Sequence, residues 1–193
     1  MELARQQQLF ARLCTDRGFR EEFFAAPAQV AAREGLTVAA EGLASLPPEQ
    51  LRQFARLLRT RRLGEVGLAL PLTRRVLGMR FVELFKDYAI QGPPPGERPG
   101  EDAQAFVEFL HRGAAGTPVE PAWAMSLARY EAAKVQAQWL GRRKLIMRRF
   151  PHALRRLVAD MAGGAKPEGD YSGWTFAVWC CASSNQEPRH WLW

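Results

Sequence analysis

Cysteine is scarce in this chain: Cys14, Cys180 and Cys181 are the only three among 193 residues. Two of them are adjacent and none belongs to a CxxC pair, so neither a disulfide framework nor a structural zinc site has the spacing it needs. Reduced thiols are expected. Histidine is equally sparse, and His111, His152 and His190 are scattered through three segments that would all have to converge to hold a metal. Enzymatic signatures are missing as well, with no GxSxG, phosphate-binding loop, GxGxxG or HExxH. No uninterrupted apolar run approaches the ~18 residues of a membrane span. The start "MELARQQQLFARL" lacks the basic and apolar regions of a signal peptide, so the expected location is the cytoplasm, away from membranes.

Acidic charge is in deficit too. Twenty acids face 27 bases, giving a net charge of +7, and arginine heavily outnumbers lysine. The planar arginine fork suits carboxylates, phosphates and peptide carbonyls, so an acidic partner is indicated, whether peptide, protein surface or nucleic acid. At 47% hydrophobic residues the chain has ordinary globular composition, and its length allows a real core without staples.

Punctuation by proline and glycine divides the chain. Residues 1 to 46 read as short helices: Leu3, Phe10, Leu13 and Cys14 share one face, Asp16 and Gly18 mark a turn, Pro27 opens the next helix and Gly35 closes it. Pro47 and Pro48 open "PPEQLRQFARLLRTRR", with Leu51, Phe54, Leu57 and Leu58 as the expected buried face and Arg52, Arg56, Arg59 and Arg62 aligned on another. Pro71 and Gly78 interrupt the next stretch, leaving "MRFVELFKDYA" as an amphipathic helix whose Phe81, Leu84, Phe85 and Tyr88 point to the core. "QGPPPGERPG" is a loop, and Glu101 with Asp102 fits the first turn of the helix after it; as neighbours they diverge by ~100° and make a poor acid–base pair.

A longer helix with one buried side is expected from Pro121 to about Leu140. Beyond Gly141, "RRKLIMRRF", "WTFAVWCCAS" and "RHWLW" are short, aromatic and β-prone, and predict antiparallel strands near 143–150, 174–182 and 189–193. In the middle strand Trp174, Phe176, Val178 and Cys180 alternate with Thr175, Ala177, Trp179 and Cys181, which separates the two thiols onto opposite faces. The expected fold class is therefore α+β, mainly α-helical with a small C-terminal antiparallel sheet. The expected domains are 1–114, comprising short helices at 1–46 and an Arg-rich helical core at 47–114, and 115–193, a long helix with the sheet.

The stretch "RLLRTRRLGEVGLALPLTRRVLGMRFVELFKDYA" with "ERPGEDAQAFVEFL" resembles the helical domain of the partner proteins of multinuclear non-haem iron-dependent oxidative (MNIO) enzymes, which modify ribosomally made peptides. "LCTDRGFREEFFAAPAQVAAREGL" is similar to the segment that often precedes that domain. "EPAWAMSLARYEAAKVQA" followed by strands is similar in layout to the partner subunit of the methanobactin-forming heterodimer. The resemblance implies a non-catalytic subunit without a cofactor of its own. Iron would sit in a barrel-shaped partner enzyme, and this chain would bind the leader of a precursor peptide and present its core, typically at cysteine. No residue motif for leader binding carries over.

Physical chemistry supplies the candidate residues. An extended leader can pair with an exposed sheet edge. Arg143, Leu145, Met147, Arg148 and Arg149 on the first strand and Trp179 as an aromatic platform are the expected peptide-binding residues. Arg52, Arg56, Arg59, Trp191 and Trp193 are the expected contacts to the partner enzyme. The competing reading is a basic helical nucleic-acid-binding or regulatory protein, drawn from the arginine rows at 52–62 and 142–156, although no helix-turn-helix, zinc finger or RNP-like signature accompanies them.

Overall fold

The computed structural model describes residues 2–35, 42–43, 45–96, 99–113, 118–138, 145–164, 167–180 and 189–193. The chain is α+β. Helices α1 (Glu2–Thr15), α2 (Arg17–Ala25), α3 (Pro27–Glu34), α4 (Pro48–Ala69), α5 (Pro71–Leu77), α6 (Met79–Ala89), α7 (Pro99–His111) and α8 (Ala122–Gln138) precede strand β1 (Leu145–His152), helix α9 (Leu154–Ala162), and strands β2 (Ser172–Cys180) and β3 (Arg189–Leu192). Two compact units result: residues 1–64 with 85–94, and residues 65–84 with 95–193. The expected domains, 1–114 and 115–193, divide the chain elsewhere. Helices α5 and α7 both pack on α8, and so belong with the sheet.

In the first unit Leu9, Leu13, Cys14, Phe19, Phe23, Val30, Ala31 and Leu51 form one core, with Phe10, Phe24, Leu43 and Leu58 packed against it. Asp16 stops α1 and starts α2: its side chain accepts a hydrogen bond from the Phe19 amide at 2.9 Å, satisfying one donor that a helix start leaves open. Arg20 is buried and donates to the Leu13 carbonyl at 2.7 Å, so it closes the end of α1. Gly35 ends α3 in the left-handed region at φ 67°, where a side chain is costly.

The buried stripe of α4 differs from the expected one. Leu51 and Ala55 are buried, followed by Arg62, Val66 and Leu70 just beyond the helix, while Phe54 and Leu57 are 41% and 67% exposed. Arg62 therefore leaves the arginine row. It falls on the core stripe, where its guanidinium lies 5.8 Å and 5.6 Å from the ring centres of Phe85 and Tyr88 and donates to the Gly92 carbonyl at 3.2 Å.

In the second unit α8 is buried on most of its circumference rather than on one side, including Trp123, Ala124, Leu127, Ala128, Tyr130, Ala133 and Ala137. Its many alanines allow close approach from several directions. Glu131 on this helix accepts from the amides of Leu72 and Thr73, each at 2.8 Å, and from the Thr73 hydroxyl at 2.7 Å, thereby capping α5 across 58 residues of sequence. Burial pushes its carboxyl above the usual range, opposed by those three hydrogen bonds.

The sheet has the order β1-β2-β3, antiparallel throughout. One face is buried, formed by Ile146, Phe150, Thr175, Ala177 and Trp179, and Phe150 and Trp179 lie against Tyr130 of α8. Between β1 and β2 comes α9, where the sequence pattern predicts no helix. Leu154, Leu157 and Met161 are its buried side, and Arg75 reaches its last turn to donate to the Met161 carbonyl at 3.0 Å. Thr175 ties the corner, accepting from the Leu154 amide at 2.9 Å and donating to the His152 carbonyl at 2.8 Å.

Candidate binding surfaces

Because β-strand side chains alternate, burying Thr175, Ala177 and Trp179 forces Trp174, Phe176, Val178 and Cys180 onto the opposite face of the sheet. Antiparallel register then sets Met147, Val178 and Trp191 in one row across the sheet. Arg149 opposes Phe176 in the next row, and Phe176 exchanges two 3.0 Å backbone hydrogen bonds with Trp193. Leu145, Met147, Trp174, Phe176, Trp191 and Trp193 are each 47–64% exposed. The Arg149 guanidinium lies 3.7 Å from the centre of the Trp174 ring and 5.6 Å from that of Phe176. No acidic residue occupies this face within the three strands. It is an open apolar and aromatic surface with basic residues Arg149 and Arg189, and β1 and β3 are the sheet's outer strands.

Five of the sequence-predicted residues meet on this face: Leu145, Met147, Arg149, Trp191 and Trp193. Arg148 alternates away and donates to the Gln136 side chain at 3.4 Å. Arg143 lies outside the described residues. Trp179 is corrected: it is fully buried and its indole Nε1–H has no hydrogen-bond partner, so it is core and offers no platform to a ligand. Trp174 and Phe176 are the aromatic side chains of β2 that the open face exposes. The strand's alternation separates them from Trp179, but both faces are apolar, and only the small Thr175 and Ala177 mark the side on which a helix can pack.

The first unit carries a second surface. Arg17, Arg20, Arg52, Arg56 and Arg59, with Glu21, Phe24 and Pro48, line a groove of about 350 Å³. Three of the four arginines expected in one row, Arg52, Arg56 and Arg59, line this groove together, without Arg62. Arg17 is paired with Glu21 at 2.8 Å and Arg52 with Glu49 at 2.7 Å. The proton affinity of Arg20 is lowered by burial and then by the charge of Arg59.

The histidines stay apart. His152 Nδ1 sits 2.7 Å from the Ser126 hydroxyl and His190 Nε2 3.2 Å from the Tyr130 hydroxyl, and burial lowers the pKa of both below 6.5. Among the described residues no group of three or more His, Cys, Asp or Glu is placed to hold a metal. Cys14 is buried, which raises its thiol pKa, and Cys180 is partly exposed on the open sheet face; Cys181 lies outside the described residues. A cavity of about 690 Å³ in the second unit touches Tyr130, Glu131, Lys134 and His190 among mainly apolar walls, but the Glu131 carboxylate facing it is already engaged with α5.

Residues 26–112 match the family described as SCO6045-like, C-terminal domain. The match takes in α3 to α7, less than half of the chain, and includes both stretches quoted above, 56–89 and 97–110. No curated protein and no solved structure matches the chain. Among the described residues no helix is long and apolar enough to cross a membrane.

Proposed function

We propose that this chain is a non-catalytic partner subunit of an MNIO-type iron enzyme, binding that enzyme and recruiting the leader of a ribosomally synthesised precursor whose core is then oxidised at cysteine. The observation that carries the reading is the open sheet face. Six large apolar side chains exposed in register on one small sheet cost solubility unless another surface covers them. Buried aromatic anchors beside an arginine are what dominates protein–protein binding energy. The outer strands β1 and β3 suit a leader that adds as a further strand through main-chain hydrogen bonds. Arg149 and Arg189 favour acidic residues in whatever docks here.

Co-expression with the iron-barrel enzyme encoded nearest to it, followed by affinity purification and metal analysis, tests the proposal. A stoichiometric complex with iron confined to the larger subunit, and binding of a labelled leader peptide by that complex, is the expected result. A chain that purifies alone and retains nucleic acid would overturn it.

A further inference from the structure

The arginine groove of the first unit has an apolar neighbour. On the other side of Arg56 and Arg59 lies a hollow of about 370 Å³ whose walls include Leu63, Phe85, Ala89 and Ile90. The two arginines line both spaces. They stand one helical turn apart on α4 and form the ridge between a basic groove and an apolar one.

Charge in this region is only partly compensated: Arg17 is paired with Glu21 and Arg52 with Glu49, whereas Arg56 and Arg59 have no acid beside them among the described residues. Five guanidinium groups line the groove against one carboxylate, Glu21, which is already held by Arg17. Neither Arg56 nor Arg59 forms an ion pair among the described residues, and the Arg20 and Arg59 charges repel each other. Like charges brought together this way leave a binding energy that a carboxylate recovers through paired, charge-assisted hydrogen bonds. Beside them Ile90 is 55% exposed at the hollow. A nucleic-acid backbone would satisfy the arginines and leave the hollow uncovered, and Phe85, at 1% exposure, offers no ring face for a base to stack on.

The geometry points to a binding site for an acidic peptide segment that carries aliphatic residues next to its carboxylates. The acids enter the groove of Arg52, Arg56 and Arg59, and an aliphatic side chain crosses the ridge into the hollow at Leu63, Ala89 and Ile90. This goes beyond the proposed function, since it holds whether or not an iron enzyme is the partner.

Fluorescence anisotropy on the full chain tests it, using a labelled peptide of about a dozen residues in which pairs of Glu alternate with pairs of Leu. Comparison ligands are the same peptide with Gln for Glu, the same with Ser for Leu, and a uridine oligonucleotide of similar length. The Glu/Leu peptide is expected to bind and to weaken with salt. The Gln peptide and the R56E/R59E variant should each bind at least about tenfold more weakly, and the Ser peptide and I90S several-fold more weakly. The charge-matched variant R80E/R155E should bind like the parent. Failure of the Glu/Leu peptide to bind, equal binding of the Gln peptide, parental affinity in R56E/R59E, or an oligonucleotide that binds as tightly and displaces the peptide would each overturn the inference. Arg56 is exposed and Arg59 half-buried, so a thermal melt accompanies each variant, and R56Q/R59Q replaces the charge reversal if that variant melts early.

Discussion

Arg149 on β1 lies with its guanidinium 3.7 Å from the ring centre of Trp174 on β2, and the pair sits at one end of the open sheet face. The stack orders two long side chains on a surface where, among the described residues of the three strands, no acid pairs with the arginine, and its N–H groups can meet a carboxylate or a carbonyl. Trp174→Ser combined with Trp191→Ser removes two of the exposed indoles of this face without touching the core. The melting temperature should shift by no more than a few degrees, since surface changes of this sort stay within about 0.5 kcal/mol. If the proposed function holds, co-purification of the iron-barrel enzyme should be lost. A double variant that still holds the enzyme and the leader would remove the sheet face from the binding surface.

Trp179 behaves in the opposite way. It is fully enclosed beside Tyr130, so Trp179→Ala should cost about 3–5 kcal/mol in urea unfolding. Trp179→Phe should cost much less. It keeps an aromatic ring and removes an Nε1–H that makes no hydrogen bond in the fold, so the smaller volume is partly offset by the lost penalty.

Glu131 is the acceptor for two helix-start amides and a hydroxyl. Glu131→Ala strands the buried donors of Thr73 and the amide of Leu72, and should destabilise by about 2–4 kcal/mol; Glu131→Gln keeps an acceptor oxygen and should lose less. Chemical denaturation of the two variants side by side decides this, with the order Ala worse than Gln as the expected outcome.

Acid should weaken the fold through His152 and His190. Burial holds both below 6.5, the ordinary histidine value, so the folded state binds protons less readily than the unfolded chain. Their stabilising contribution is complete above pH 6.5 and is lost as pH falls through the folded values. Melting temperatures recorded from about pH 8 to pH 5 should decline on the acid side, and H152Q/H190Q should flatten that part of the curve.

Asp16 is exposed enough to be changed without a cavity, yet it holds the Phe19 amide. Asp16→Ala should cost about 1 kcal/mol, and Asp16→Asn a fraction of that, by urea titration.

Proline and glycine make the helical part of the chain readable. Pro27, Gly35, Pro71 and Gly78 stand where the helices begin and end, because fixed torsions and a left-handed cap act locally and need no tertiary context. Faces are harder. On α4 the residues Phe54 and Leu57 are as apolar as any core residue but remain exposed, and Arg62 is buried because two aromatic rings and a carbonyl receive it from a later segment. The sheet faces show the same limit: strand alternation assigns Trp174 and Trp179 to opposite sides, but the choice of buried side is made by α8, more than 30 residues earlier. Helix α9 is hidden in the sequence because its arginines and small length blend with the basic strand before it. The arginine row itself is legible as a row, and its apolar neighbour is not, since Phe85, Ala89 and Ile90 come from a separate segment.

The segregation of tryptophans by sheet face gives this protein a built-in optical signal. Of the six tryptophans, Trp123 and Trp179 are enclosed and should emit towards the blue, shielded from dissolved quenchers, Trp174, Trp191 and Trp193 are exposed and should emit towards the red, and Trp139 lies outside the described residues. Iodide should be drawn to the exposed set by Arg149 and Arg189 and quench it selectively. A partner that settles on the sheet would shift that red component and protect it, so occupancy of the face can be followed in the unlabelled protein.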